Sequence, residues 1–329
     1  VSKENRKRLV ELLSDGEFHS GEQLGEALGV SRASIWKQVK SLLSMGLDIQ
    51  AVKGRGYRIL DGLSLLDANA VHAAFTENTR RYIQCPEVFT QIDSTNQYLL
   101  DLLEAGEGKQ GLLCFAEQQT AGRGRRGKPW VSPFGKNIYC SLLWHFDKGI
   151  SALEGLSLVI ALSLVKTLEK QGVQELELKW PNDILSKDKK LAGILIEARG
   201  DLVDACDVVI GIGINVHMSQ QSASAIDQPW VDLYSLQGKK IDRNILVAHL
   251  FNQISDDLQQ FSSSGFSPFC SEWNEKNSFL DKRVSVSSGK ESKRGVCLGV
   301  NSQGALLLEI DGRTESFYGG EVSLRKDEE

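Results

Sequence analysis

The stretch GRGRRGKPW, Gly122 to Trp130, packs glycine, arginine, lysine, proline and tryptophan into one short run. Its opening, Gly-x-x-x-x-Gly-Lys, is that of a phosphate-cradling P-loop, and a true P-loop would fix a strand–loop–helix nucleotide fold. The neighbours forbid it. Pro129 stands where the motif needs a Ser or Thr hydroxyl, and the following WVSPFG will not form a helix. A nucleic-acid patch is a weaker reading, because the surroundings are acidic. What survives is a flexible loop whose backbone amides and guanidinium forks gather around an anion.

The bulk numbers set the frame. A chain of 329 residues exceeds one average domain, and 41% hydrophobic with 25% charged residues is ordinary for a globular protein. Net charge is −5, which excludes a general polyanion binder. Residues 1–60 hold ten Lys/Arg and seven Asp/Glu, a net of +3, which leaves −8 for the remainder. A small basic N-terminal module on an acidic body is expected. The six cysteines, at 85, 114, 140, 206, 270 and 297, form no C-x-x-C pair, and a reducing, cytoplasmic setting fits them. No signal peptide and no apolar run of eighteen residues is apparent, so no membrane partner is expected. The chain begins at Val1, so an initiator methionine or short leader is expected before it.

Periodicity then divides the chain. Residues 4–14 and 21–29 read as helices, and Ser31 caps a third, RASIWKQVKSLLSMG. Ile35, Val39, Leu42 and Leu43 are expected to face inward. Gly21, Ser31, Arg32, Ser34, Lys37, Gln38 and Lys40 are expected to face DNA. DIQAVKGRGYRIL alternates like two strands around Lys53-Gly54-Arg55-Gly56, a β-wing whose Lys53 and Arg55 make a cationic tip. Helix, turn, basic helix and basic wing together spell a winged helix-turn-helix. A three-helix scaffold that binds only protein is the rival. Residues 68–83 look helical, and strands at 88–92, 111–117, 137–145, 175–180, 191–198 and 207–216 alternate with helices, the long apolar ones at 153–171 and 243–262. The last sixty residues carry short strands (VSVSS, KRGVCLGV, ALLLEI, TESFYG, EVSLR) separated by Gly-containing turns, the pattern of a small β-barrel. The expected domains are 1–62, 63–270 and 271–329.

The polar groups cluster at strand ends. KWPND (179–183) ends one strand, KKLAGILIE (189–197) starts another with Gly193 inviting a close approach, and GIGINV (211–216) ends a third at Asn215. The five histidines show no metal spacing, and no metal-ligand set is expected.

IDSTNQ, AGRGRRG, KWPND, KLAGILIE and GIGINV, in this order, strongly resemble the biotin–protein ligases. With the winged helix in front, the resemblance is to the bifunctional bacterial type that is also the biotin operon repressor. It covers essentially the whole chain. It implies an α+β multidomain protein: a winged helix-turn-helix, a central class II synthetase-like mixed sheet with helices, and a C-terminal SH3-like β-barrel. It implies an enzyme that joins biotin to AMP, using ATP and Mg²⁺, and passes biotin to a lysine of the biotin carboxyl carrier protein subunit of acetyl-CoA carboxylase. It also implies a homodimer that binds operator DNA when the adenylate is bound.

By the same resemblance, Ser94, Thr95, Asn96 and Gln119 supply donors and acceptors for biotin's ureido group. Gly122, Arg123, Gly124 and Arg125 lie on the loop that closes over biotin, with Gly193 beside it. Lys190 sits at the carboxylate and α-phosphate, and Asp183 near the acceptor lysine; Lys190, Asp183 and Arg125 form the catalytic set. Arg125, Arg126, Trp130, Lys179, Asn182, Asp183, Asn215 and Trp230 hold the nucleotide. Segment 217–229 is expected to order when the adenylate binds. Lys128-Pro129 departs from the family's more basic pattern after GRGRRG, which stiffens the loop, and an outward Trp36 bears on operator preference. Ser94-Thr95 as a mere helix cap, the tryptophans as plain packing and Lys190 as part of a solvated KDKK turn remain alternatives. So do a lipoate-type ligase, a non-catalytic sensor and a ligase without repression.

Overall fold

The computed structural model describes residues 3–60, 62–218, 224–288, 291–319 and 322–326. At the N-terminal end, Leu9 and Leu13 of α1 (Lys3–Leu13), Leu24 and Leu28 of α2 (Gly21–Leu28), and Ile35, Val39 and Leu42 of α3 (Arg32–Ser44) meet in one buried cluster. The caps decide where these helices begin. Ser20 and Gln23 form a reciprocal capping box at α2, and Ser31 Oγ accepts from the Ser34 N–H at α3. Gly29, in the left-handed region at φ 64°, ends α2 and turns the chain into α3. β1 (Ile49–Val52) and β2 (Gly56–Ile59) then pair as a hairpin.

Two side chains differ from the sequence reading. Gln38 is only 2% exposed, its Nε2 reaching Ser34 Oγ at 3.5 Å, so it faces the core and not DNA. It lies three residues after Ile35 and four before Leu42, inside the apolar stripe. Leu43, expected inside, is 45% exposed because it falls beyond the edge of that stripe.

The middle of the chain opens with two short helices where the sequence suggests one. α4 (Ala68–Ala73) ends because Thr76 caps α5 (Glu77–Tyr82), accepting from the Thr79 N–H while its own N–H donates to Asn252 Oδ1. There follow β3 (Glu87–Phe89), α6 (Thr95–Glu104), β4 (Leu113–Ala116), β5 (Ile138–Phe146), α7 (Leu156–Lys170), β6 (Glu177–Lys179), β7 (Asp183–Ser186), β8 (Lys189–Gly200), β9 (Cys206–Ile214), α8 (Leu233–Gln237), α9 (Arg243–Ser264) and α10 (Cys270–Glu275). The strands form one mixed sheet in the order β3-β4-β5-β9-β8-β7-β6, parallel only between β3 and β4.

Alternation along β5 and β9 sorts the two faces. Cys140, Leu142, Trp144, Val208, Ile210 and Ile212 join the large core with α7 and α9, whereas Leu143 and Val209 pack with Leu99 and Leu100 of α6. The α6 face is the one that carries the polar site. Among the described residues, only Ile150–Lys170 is long and apolar enough to cross a membrane. In this fold α7, which makes up most of it, is buried along its length against the sheet and α9.

β10 (Arg283–Ser288), β11 (Glu291–Val300), β12 (Leu306–Ile310), β13 (Arg313–Phe317) and β14 (Val322–Lys326) make an antiparallel sheet in the order β13-β12-β11-β10-β14. Its buried Val284, Cys297, Leu306 and Leu308 belong to the same core as the central sheet. The Trp180 indole N–H donates to Gly304 O at 3.1 Å, tying the two sheets together.

The connection out of the N-terminal module is held by a buried ion pair. Arg243 Nη2 lies 2.7 Å from Glu117 Oε2, with both side chains almost wholly buried. Arg243 also donates to Ser64 O and to Asn137 O, and Glu117 Oε1 accepts from the Leu66 N–H at 2.6 Å. Phe134, far along the chain, inserts into the N-terminal cluster. Removing one partner of such a pair strands the other without compensation. Glu117→Ala is therefore expected to cost about 3–5 kcal/mol in urea denaturation, and the double change Glu117→Met with Arg243→Met to recover much of it.

Candidate functional site

The register of the central sheet assembles the site. Cross-strand pairing runs Tyr139↔Gly213 (β5–β9), Gly213↔Gly193 (β9–β8), Gly193↔Asp183 (β8–β7) and Asp183↔Lys179 (β7–β6). One row across five strands thus carries a carboxylate and an ammonium beside two positions without side chains. The strand β7, hidden in the sequence behind Pro181-Asn182, is what brings Asp183 into this row.

The bare positions are filled by Trp130. A Cβ on Gly213 would lie 2.5 Å from the indole Cε2, and one on Gly193 would lie 3.1 Å from its Cζ3. In the neighbouring row Gly211 does the same for Asn96, whose Oδ1 is 2.2 Å from where a Cβ would be. Glycine in these strands is required by close approach of side chains from elsewhere.

GRGRRGKPW folds as a small hairpin. Trp130 N–H donates to Gly122 O at 2.8 Å, Arg123 bridges Pro129, and Gly124 N–H donates to Lys128 O at 2.7 Å. Arg125–Gly127 is a single 3₁₀ turn at its tip, with Arg126 at φ 58° and Gly127 at φ 69°. The expected loose loop is thus a ladder that aims its arginines in different directions. Arg123 pairs with Glu197 at 3.2 Å. Arg125 donates to Asn182 Oδ1 at 3.2 Å and to Gly319 O at 2.7 Å, so the C-terminal sheet reaches the site. Arg126 is exposed.

A charged cluster lies beside it. Lys190 Nζ is 2.7 Å from Asp183 Oδ1 and 5.3 Å from the centre of the Trp130 ring. Burial pulls Arg125 and Lys179 below their ordinary pKa values, opposed in both by the Asp183 carboxylate; Lys190, Arg325 and Lys128 lower Lys179 further. Cations thus outnumber anions, the condition for holding a phosphorylated ligand.

The polar pocket lies at the start of α6. Ser94 caps the helix, its Oγ accepting from the Gln97 N–H at 3.4 Å. Gln119 Oε1 accepts from Thr95 N–H and Oγ1–H at 2.9 and 3.1 Å. Ser141 Oγ donates to Asn96 Oδ1 at 2.6 Å and lies 2.7 Å from Thr95 Oγ1, and Asn96 Nδ2 donates to Glu197 Oε2 at 2.8 Å. Gln119 Nε2 reaches Ser132 Oγ at 3.4 Å. The network is buried and bonded, which fixes the rotamers a polar ring system would meet.

Most of the expected residues converge here, with qualifications. Asn182 is committed to β8, exchanging bonds with the backbone of Ile194. Asn215 donates to Lys190 O and Val231 O, clasping the 229–233 segment on which Trp230 bridges Lys190. In the expected ordering segment, 219–223 lie outside the described residues. Glu197, Ser132 and Ser141 were not foreseen as members. Glu197 ends the quoted KLAGILIE, and the glycines of GIGINV signalled close approach, but neither names its partner. Among the described residues no group of three or more His, Cys, Asp or Glu side chains is placed to hold a metal ion.

On the N-terminal module Arg32, Lys37, Lys40 and Arg55 are exposed, as is Lys53, and Ser34 is half-buried. Gly21 is covered by the stem of Arg32, whose Cγ would be 3.2 Å from a Cβ there, so it is support and not surface. Arg55 stacks its guanidinium 4.1 Å over Phe18.

Comparison with known proteins agrees with this geometry. Residues 88–215 match the Biotin/lipoate A/B protein ligase family, 5–58 a helix-turn-helix domain and 279–325 the biotin protein ligase C-terminal domain. The chain is also similar in structure to the biotin protein ligase from Aquifex aeolicus solved in complex with biotin and ATP, with a TM-score of 0.63, 28% identity and coverage of 74% of this chain and 99% of that one. The class is thus a ligase-type catalytic sheet carrying a helix-turn-helix module. The chain is 44% identical over 320 residues to the bifunctional ligase/repressor BirA of Salmonella typhimurium, covering 97% of each, and 43% identical to that of Escherichia coli, covering 98% of this chain and 97% of that one. It belongs to the bifunctional ligase/repressor family.

The bare row gives a direct test. Gly213→Ala drives a methyl group into the Trp130 indole and is expected to lower stability by roughly 1–3 kcal/mol in chemical denaturation, with a change in tryptophan emission.

Proposed function

We propose that this chain adenylates biotin with ATP, transfers the biotin to a lysine of the biotin carboxyl carrier protein subunit of acetyl-CoA carboxylase, and represses biotin-operon transcription in its adenylate-bound form. The observation that carries the enzymatic reading is the Lys190–Asp183 pair beside Arg125 and the Trp130 shelf, at one end of the buried Ser94–Gln119 network.

In the first step a biotin carboxylate oxygen attacks the α-phosphorus and pyrophosphate leaves. Lys190 and Arg125 offset the charge gathering there, with Lys179 and Arg126 toward the phosphates. Gly122, Arg123 and Gly124 form the edge of the biotin pocket, Gly193 makes room beside it for Trp130 and Lys190, and Trp130 and Trp230 are the walls around biotin and adenine. In the second step the acceptor amine attacks the acyl carbon and AMP leaves; Asp183 orients that amine and takes up its proton. Mg²⁺ would arrive on the triphosphate, since the site carboxylates Asp183 and Glu197 are each already paired with a cation.

The proposed division is a winged helix-turn-helix over 1–62, a catalytic domain over 63–270 and an SH3-like barrel over 271–329, in a cytoplasmic protein. Ser31, Ser34 and Lys37 would face the operator's major groove, Arg32 and Lys40 the phosphates along its edge, and Lys53 and Arg55 the adjoining backbone. A homodimer with adenylate bound would match two half-sites, and linkage then requires DNA to favour adenylate retention.

Purified protein with Mg²⁺ is expected to exchange labelled pyrophosphate into ATP with biotin and not with lipoate; absence of exchange in folded protein would leave a sensor without catalysis. Lys190→Met should lower the exchange rate about 10²- to 10³-fold. Arg125→Gly should retain adenylate poorly and biotinylate bystander lysines, read by avidin blot of an added protein mixture.

A further inference from the structure

The outward face of α3 is not purely cationic. Arg32, Ala33, Trp36, Lys37, Lys40 and Leu43 are exposed on it. At roughly 100° per residue, Ala33, Lys40 and Leu43 all lie within about 60° of Trp36 and share one stripe with it. Trp36 is 49% exposed, so the core does not explain it. One face of the ring is partnered, because Lys40 Nζ sits 4.1 Å from the centre of the indole, a cation–π contact along the helix surface. The indole stands on the second turn of the helix, close to the end that meets base edges in helix-turn-helix proteins.

The charge around it selects the occupant. No Asp or Glu occurs between positions 27 and 47, while Arg32, Lys37 and Lys40 flank the ring. A duplex offers phosphates to those cations. On the floor of its major groove the apolar feature of a base pair is the C5-methyl group of thymine. We infer that Trp36 is a specificity-determining residue that reads thymine, its indole packing on a thymine methyl while Arg32 and Lys40 engage the flanking phosphates. This rests on the DNA-binding reading given above.

The test uses the full chain with biotin and MgATP. Duplexes are enriched from a random-sequence library, and each thymidine of the enriched site is replaced in turn by deoxyuridine, which removes only the methyl group. At fixed salt, one or two replacements are expected to weaken binding about three- to fivefold each. The same replacements should have no effect on Trp36→Ala and a reduced effect on Trp36→Phe. Thermal melting of both variants checks that they are folded, and if Trp36→Ala binds no duplex the comparison is made with Trp36→Phe. No sensitive thymine, or equal sensitivity in the wild type and in the variant compared, would overturn the assignment to Trp36. Failure of the wild type to enrich any duplex would instead overturn the DNA-binding reading itself.

Discussion

Gly193, Gly211 and Gly213 leave a stretch of the central sheet without side chains, and the site is built on that absence. Trp130 lies against two of these positions and Asn96 against the third. Trp130 also closes the hairpin that carries Arg123 and Arg125, because its backbone N–H donates to Gly122 O at the base of that hairpin while its ring lies on the strands. Asn96 fixes Glu197, and Glu197 receives Arg123. The bare backbone thus sets the height of the arginine loop above the strands. A Cβ at Gly193 or Gly213 would meet the Trp130 indole and push the hairpin with its cations away from Asp183 and Lys190.

The same geometry separates two kinds of polar contact. The hydroxyls and amides at the start of α6 are bonded to one another, so a neutral polar ligand meets a rigid surface. The cations at the far end of the row exceed the anions available to them, so an anionic ligand meets unspent charge. Arg125, at the cationic end, donates to Asn182 Oδ1 and to Gly319 O just beyond β13 of the C-terminal sheet. That sheet shares its core with the central one, so the position of the guanidinium depends on packing well outside the hairpin.

How much was legible beforehand follows from the range of each interaction. Ser20, Ser31 and Gly29 act within four residues, so the helix boundaries of the N-terminal module could be read directly. The strand ends at Lys179, Lys190 and Asn215 were legible because apolar runs stop there. What alternation cannot give is the partner across the sheet: Asn96 meets Glu197 at a separation of 101 residues, and Glu117 meets Arg243 at 126. β7 escaped notice because Asn182-Asp183 reads as a turn, which it enters before Asp183 starts the strand. Gln38 is misjudged by residue type, because a polar side chain suggests an outward face while its spacing from Ile35 and Leu42 places it inside.

Phe134 gives the boundary between the modules a different meaning. It comes from the catalytic part of the chain, two residues beyond Ser132 of the polar network, yet its ring is part of the core formed by α1, α2 and α3. Gln118, one residue before Gln119, likewise donates to Met45 O at the end of α3. The two modules are therefore not portable. A gene fusion or a truncation that cut near residue 62 would remove one ring from the helical module's interior and leave that ring facing water on the remaining piece, a few residues from the ligand pocket. Evolution could exchange the helix-turn-helix for another only together with the residue at position 134.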